Sequence, residues 1–188
     1  GFEHRPALGI PYNPAYYVIL NQLTITRGAA NVGAGIQNYG TLTIYNSTFV
    51  DNNAAAYGGG IYSSGNLYVA NSTLANNTAG NFGFGGGIHT DAVQAYVINS
   101  TFSGNSTAIL NGGTPSNLYL FNTVIGNSID FDCQNYGNPL ISLNNLLEQT
   151  TTDACSLKHT SIWCKIASPV HVSPPINNRR PSPPVAPL

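Results

Sequence analysis

Charge is scarce in this chain. Of 188 residues, six are Lys or Arg and seven are Asp or Glu, 7% together, against roughly 25% in an ordinary globular domain. The formal net charge is −1, and no basic run precedes the C-terminal tail. The electrostatic footprint that holds phosphate backbones is therefore missing, which excludes nucleic acid as a partner. No apolar stretch approaches the roughly 18 to 20 residues of a membrane span. No signal peptide is visible, yet the chain begins at Gly1 rather than at methionine, which reads as a processed form or a fragment. The three cysteines, Cys133, Cys155 and Cys164, include no CxxC and no Cys/His pairing, so no zinc site, and no other metal or cofactor, is expected. No segment keeps a 3.6-residue apolar period, which excludes a helical domain.

Repetition fills the space that charge leaves. The stretches LTIYNSTFVDN, LYVANSTLANN, AYVINSTFSGN and LYLFNTVIGN begin at positions 42, 67, 95 and 118, spaced by 25, 28 and 23 residues. A fainter copy, LTITRG, begins at Leu23. Between the copies a second signal recurs, GAGI ending at Ile36 and GGGI ending at Ile61 and Ile88, followed by TAIL around Ile109. Within each copy apolar residues alternate, as in Leu42/Ile44 and Leu67/Val69, the period of two of a half-buried strand. Repeats of about 20 to 30 residues with short strands, glycine turns and no helix describe a solenoid whose coils lie parallel on one another. The fold expected is all-β, a right-handed parallel β-helix of about five coils. The segments read as an N-terminal cap segment over 1–20, the β-helix over 21–160 and a Pro-rich extended tail over 161–188.

Stacking gives the residue types a physical reason. Coils lie about 4.8 Å apart, so like charges on successive coils would repel, and low charge follows. Asn tolerates left-handed turns, and its amides can form ladders along the axis. Two ladders are expected, one of Asn46, Asn71, Asn99 and Asn122, the other of Asn52, Asn77, Asn105 and Asn127. Five N-x-S/T sequons, at Asn46, Asn71, Asn76, Asn99 and Asn105, read as products of the repeat rather than as glycosylation sites.

The pairing of GGGI with FxxN, seen as FVDN at Phe49, FSGN at Phe102 and the variant LANN at Leu74, resembles the repeat of polymorphic outer-membrane proteins and related bacterial right-handed parallel β-helix proteins. Residues 132–155 resemble the segment that follows the repeats in large secreted β-helix proteins, where two cysteines flank a strand. The resemblance spans roughly residues 18–157 and implies a secreted or cell-surface protein, in some cases an adhesin, or the passenger fragment of an autotransporter; fold alone does not fix function. Cys133 and Cys155 are expected to form a disulfide closing the last coil. The tail ASPVHVSPPINNRRPSPPVAPL departs from the family, and its prolines favour an extended strand packing on the chain's own coils or on a neighbour.

Candidate catalytic groups are few. Parallel β-helices that cleave pectin need either clustered carboxylates as acid and base or calcium-binding acids with an arginine or lysine base, on adjacent coils. Asp51 and Asp91 fall in different parts of their coils. Asp130 and Asp132 read as a solvated turn before Cys133. The pair His89 and Asp91 lacks a nucleophile and oxyanion donors, so no enzyme is expected. Thr24, Thr26 and Thr43 show no continuation in later coils, which excludes the threonine rows of an ice-binding face. The alternation throws Tyr45, Tyr68, Tyr96, Ile98, Tyr119 and Phe121 outward on one flat face, an apolar stripe that calls for a partner. A terminal segment of the chain, a second subunit and a saccharide stacking on the tyrosines all fit. The function expected is a non-enzymatic extracellular structural or adhesive module, self-associating into oligomers or filaments, with binding of cell-surface glycans or a pectin-lyase-like carbohydrate activity as the alternative.

Overall fold

The computed structural model describes residues 5–13, 16–80, 84–138 and 140–148. Regular structure in them is entirely β. The first coil contributes β1 (Leu8–Ile10), β2 (Tyr17–Asn21), β3 (Thr24–Thr26) and β4 (Ala29–Val32). The second contributes β5 (Ile36–Asn38), β6 (Thr41–Tyr45), β7 (Thr48–Val50) and β8 (Asn53–Tyr57). The third contributes β9 (Ile61–Ser63), β10 (Leu67–Ala70), β11 (Thr73–Ala75) and β12 (Thr78–Ala79). Three strands per coil follow: β13 (Ile88–Thr90), β14 (Gln94–Ile98) and β15 (Thr101–Ser103), then β16 (Thr107–Asn111), β17 (Asn117–Phe121) and β18 (Val124–Gly126). The last described coil holds β19 (Phe131–Asn135), β20 (Ile141–Leu143) and β21 (Leu146–Leu147).

Like strands stack on like. Sheet one runs β1-β5-β9-β13-β16-β19, sheet two β2-β6-β10-β14-β17-β20 and sheet three β3-β7-β11-β15-β18-β21, with a small fourth sheet of β4, β8 and β12. Neighbours pair in parallel, so the molecule is a parallel β-solenoid of about six turns. The count exceeds the five expected because Leu8–Ile10 and Tyr17–Leu20, inside the stretch 1–20 that reads as a cap, already pair with β5 and β6. The Pro-rich tail, Cys155 and Cys164 lie outside the described residues. Cys133 is fully buried in β19.

The core is a set of columns, one residue per coil. Ile36, Ile61, Ile88, Ile109 and Cys133 stack on sheet one. Ile44, Val69, Val97 and Leu120 stack on sheet two, and Phe49, Leu74, Phe102 and Ile125 on sheet three. All are at most 1% exposed. Burial of each such side chain stabilises by about 1.5–3 kcal/mol relative to exposure.

The corners explain the asparagines. Between sheets two and three the backbone turns through one left-handed residue per coil, at Gln22, Asn46, Asn71, Asn99, Asn122 and Asn144, with φ between 49° and 58°. All four members of the first expected ladder occupy this exposed corner, and hydrogen bonds join three of them: Asn99 Nδ2 donates to Asn71 Oδ1 at 3.4 Å and Asn122 Nδ2 to Asn99 Oδ1 at 3.1 Å, whereas Asn46 Nδ2 turns to Asn21 Oδ1 at 2.9 Å. Inside the same corner runs a hydroxyl ladder that the sequon reading passed over. Ser72 Oγ accepts from the Ser47 amide, Ser100 Oγ from the Ser72 amide, and Thr123 Oγ1 from the Ser100 amide.

The second ladder is buried. Asn52, Asn77 and Asn105 are 0% exposed; Asn52 Nδ2 donates to Asn77 Oδ1 at 2.9 Å and Asn77 Nδ2 to Asn105 Oδ1 at 3.0 Å, while Asn105 Nδ2 donates to the Leu74 carbonyl. Asn127 is not its fourth member. Thr101 pairs with Val124 and Ser103 with Gly126, which sets Asn127 opposite Gly104 and Ser128 opposite Asn105. Asn127 occupies the exposed left-handed corner (φ 54°) in line with Arg27, Asp51 and Asn76. The register keeps one offset throughout, so NSTFSGN in the fourth coil lies opposite NTVIGNS in the fifth, with Asn in the place of Gly104 and Ser in the place of Asn105.

A third correction concerns threonine. Thr26 faces Val50 and Thr43 faces Tyr68, as expected of rows that break. Thr24, however, continues through Thr48, Thr73 and Thr101 on the outer side of sheet three, ending at Val124.

Candidate functional site

Sheet two presents the aromatic face. Its inward columns are filled by Leu42/Ile44, Leu67/Val69, Ala95/Val97 and Leu118/Leu120, so alternation turns their neighbours outward. One outward column reads Ile19, Thr43, Tyr68, Tyr96, Tyr119, Ile141; the next reads Asn21, Tyr45, Ala70, Ile98, Phe121, Leu143. All six expected stripe residues are thus brought together. Tyr96 and Tyr119 stack with centroids 4.4 Å apart and planes 9° from parallel, Tyr68 lies 6.2 Å from Tyr96, and Tyr45 lies 5.7 Å from Tyr68 across the two columns. The separations fall in the range where aromatic pairs attract beyond their area burial.

The structure extends the stripe at both ends. Tyr17, Ile19, Ile141 and Leu143 are exposed on the same face. Their strands are not followed by the NST marker that aligns the other copies. Tyr17 is tied down by a 3.0 Å hydrogen bond between its hydroxyl and Thr43 Oγ1.

A second constellation lies on the outer side of sheet one. Gln37, Tyr62, His89, Leu110 and Gln134 share one outward column. The turn after β13 brings Asp91 beside it: Tyr62 donates its hydroxyl to Asp91 Oδ2 at 3.2 Å, and His89 Nε2 lies 3.4 Å from the same oxygen. The His89 hydrogen bond holds the Asp91 carboxyl below its ordinary range, whereas burial, with the Asp91 charge second, pushes the Tyr62 phenol up to about 12. Tyr57 packs edge-on against both Phe84 (5.0 Å) and His89 (4.9 Å). Together these groups, with Leu110, Gly112 and Tyr136, line a cavity of about 390 Å³. Sequence reading found His89 and Asp91 but missed the aromatic walls. Tyr57, at the end of β8, and Phe84 each stand immediately before a GGGI motif, a repeat signal for a shared aromatic position, whereas Tyr136 follows β19 with no counterpart in the repeat.

The remaining acids stay apart. Asp51 is exposed at a left-handed corner and Asp130 is exposed before β19. Asp132, expected in a solvated turn, is instead 0% exposed within β19, because strand pairing with β16 extends across it. Among the described residues no group of three or more His, Cys, Asp or Glu side chains is placed to hold a metal ion, and no helix is long and apolar enough to cross a membrane. Comparison with protein-family models, with curated proteins and with solved structures finds no match to this chain.

Proposed function

We propose that this chain is a non-enzymatic extracellular or cell-surface module, a structural and adhesive β-solenoid that associates with further copies of itself through the outer face of sheet two. The observation that carries the reading is the register of that face. Tyr68, Tyr96 and Tyr119, with Ile19 and Ile141 at the ends and Tyr45, Ile98, Phe121 and Leu143 alongside, form one apolar strip across six strands. Five strand spacings make it about 24 Å long, the scale of the apolar patches that mark interaction sites. A flat strip carrying like groups along its length is complementary to a second copy turned through a half rotation, the geometry of an isologous contact. Low charge favours the same outcome, since two such faces meet without like-charge repulsion.

The resemblance of the GGGI and FxxN pattern to outer-membrane repeat proteins supports the extracellular setting. Light scattering and electron microscopy test the assembly. The chain is expected to form dimers or larger species that revert to monomer in the Tyr68→Ser/Tyr96→Ser/Phe121→Ser variant with its circular dichroism unchanged. A wild-type chain that stays monomeric across the accessible concentration range refutes self-association.

A further inference from the structure

The cavity over sheet one is built differently from the flat strip. It is concave, its volume of about 390 Å³ falls within the usual range for small-molecule sites, and its walls combine aromatic rings with a carboxylate. His89 is 6% exposed and lines the cavity. Its Nε2 is turned to Asp91, while its Nδ1 is buried with no hydrogen-bond partner among the described residues. Buried polar atoms are nearly always paired, and an unpaired one calls for an explanation. The unpaired atom belongs to a ring that forms part of the cavity wall.

From this arrangement we propose that the cavity bounded by Tyr57, Tyr62, Phe84, His89 and Asp91 binds a neutral pyranose sugar. Each part of the site matches a part of that ligand. Sugar hydroxyls are donors, and Asp91 offers a carboxylate that Tyr62 and His89 hold in place from one side; hydrogen bonds to an ionised acceptor are the strong ones. The C–H faces of a pyranose pack on aromatic rings, which Tyr57, Phe84 and the exposed Tyr136 provide. No Lys or Arg lines the cavity, so an acidic sugar or a phosphate would meet Asp91 with no countercharge. Gly112 forms part of the floor: a Cβ there would collide with Asp91 Oδ1 and stand 2.9 Å from His89 Nε2. Its φ lies outside the left-handed region, so alanine fits the backbone while displacing the carboxylate.

This site is on a different sheet from the self-association strip and does not depend on it. The test is calorimetric titration of the whole chain with a panel of neutral mono- and disaccharides, with galacturonate and choline as charged probes. Saturable binding of a neutral sugar is expected, weakened about tenfold or more in Asp91→Asn and Gly112→Ala, reduced in the milder Tyr62→Phe and unchanged in Tyr119→Ser. Circular dichroism establishes that each variant is folded. Absence of binding across the panel, equal affinity in folded Gly112→Ala, or preference for galacturonate or choline overturns the proposal.

Discussion

Replacing Asn77 with alanine removes the middle member of the buried ladder. Asn77 Oδ1 accepts from the Asn52 amide at 3.1 Å and from Asn52 Nδ2 at 2.9 Å, while its Nδ2 donates to the Phe49 carbonyl at 3.0 Å and to Asn105 Oδ1 at 3.0 Å. Asn52, Asn77 and Asn105 are 0% exposed, so water does not replace what is lost. A buried group left unpaired costs about 1–3 kcal/mol. With the Asn52 amide stranded and the Phe49 carbonyl weakened, Asn77→Ala is expected to lower stability by about 3–5 kcal/mol, a large part of the roughly 5–15 kcal/mol that holds a domain folded. Asn71 is the matched contrast, since it lies on the exposed corner with φ 51° and bonds Asn99 across 3.4 Å. Asn71→Ala is expected to cost about 1–2 kcal/mol through the left-handed backbone alone, and Asn71→Gly well under 1 kcal/mol. Urea titration followed by far-ultraviolet circular dichroism measures all three. The reasoning is refuted if Asn77→Ala unfolds at the wild-type midpoint, or if Asn71→Ala is the more damaging change.

Further expectations come from the same geometry. Ser128 stands where the buried ladder would continue, its Oγ without a partner among the described residues, so Ser128→Asn is expected to raise stability by about 1 kcal/mol, read as a higher urea midpoint. Gly59→Ala is expected to be severely destabilising, because its Cβ would collide with the Thr78 carbonyl and lie 2.6 Å from the Gly86 oxygen, whereas Gly113→Ala meets nothing within 4 Å and is expected to be neutral or slightly stabilising. Tyr62, raised from 10.0 to about 12, contributes stability that is complete below pH 10 and is lost as the pH rises towards 12. Asp91, lowered, contributes stability that is present above its ordinary range and is lost as the pH falls through its folded value. Thermal melts against pH should show Tyr62→Phe flattening the alkaline arm and Asp91→Asn the acid arm; unchanged slopes in both variants contradict the Tyr62–Asp91 geometry.

Much of the fold is legible in the sequence because each coil repeats the same steric problem. The Asn at the corner between sheets two and three recurs because a left-handed residue is needed there, and the columns of Ile61/Ile88 and Val69/Val97 recur because each must fill the same slot. The reading fails where the repeat marker is substituted or missing. Asn127 resembles the ladder member of the earlier copies but stands opposite Gly104, with Ser128 at the ladder position, and residues 1–20, lacking both GGGI and NST, read as a cap although Leu8–Ile10 and Tyr17–Leu20 pair with β5 and β6. Ser47, Ser72 and Ser100 were visible only as sequon centres; their role depends on burial, which composition does not show. The aromatic strip was legible from alternation alone. The cavity is not: Tyr57 and Phe84 share the place before GGGI, but Gly112 and Tyr136 have no counterpart in the repeat, and only stacking of the coils brings all four to His89 and Asp91.

The most direct test places a photo-reactive benzophenone amino acid at position 119, at the centre of the strip, in a mixture of isotopically light and heavy chains. Self-association through sheet two predicts a light–heavy cross-linked dimer whose joined peptides contain residues 94–98 or 117–121 of the second copy. Cross-links confined to the chain's own segments, including residues 149–188, would contradict it.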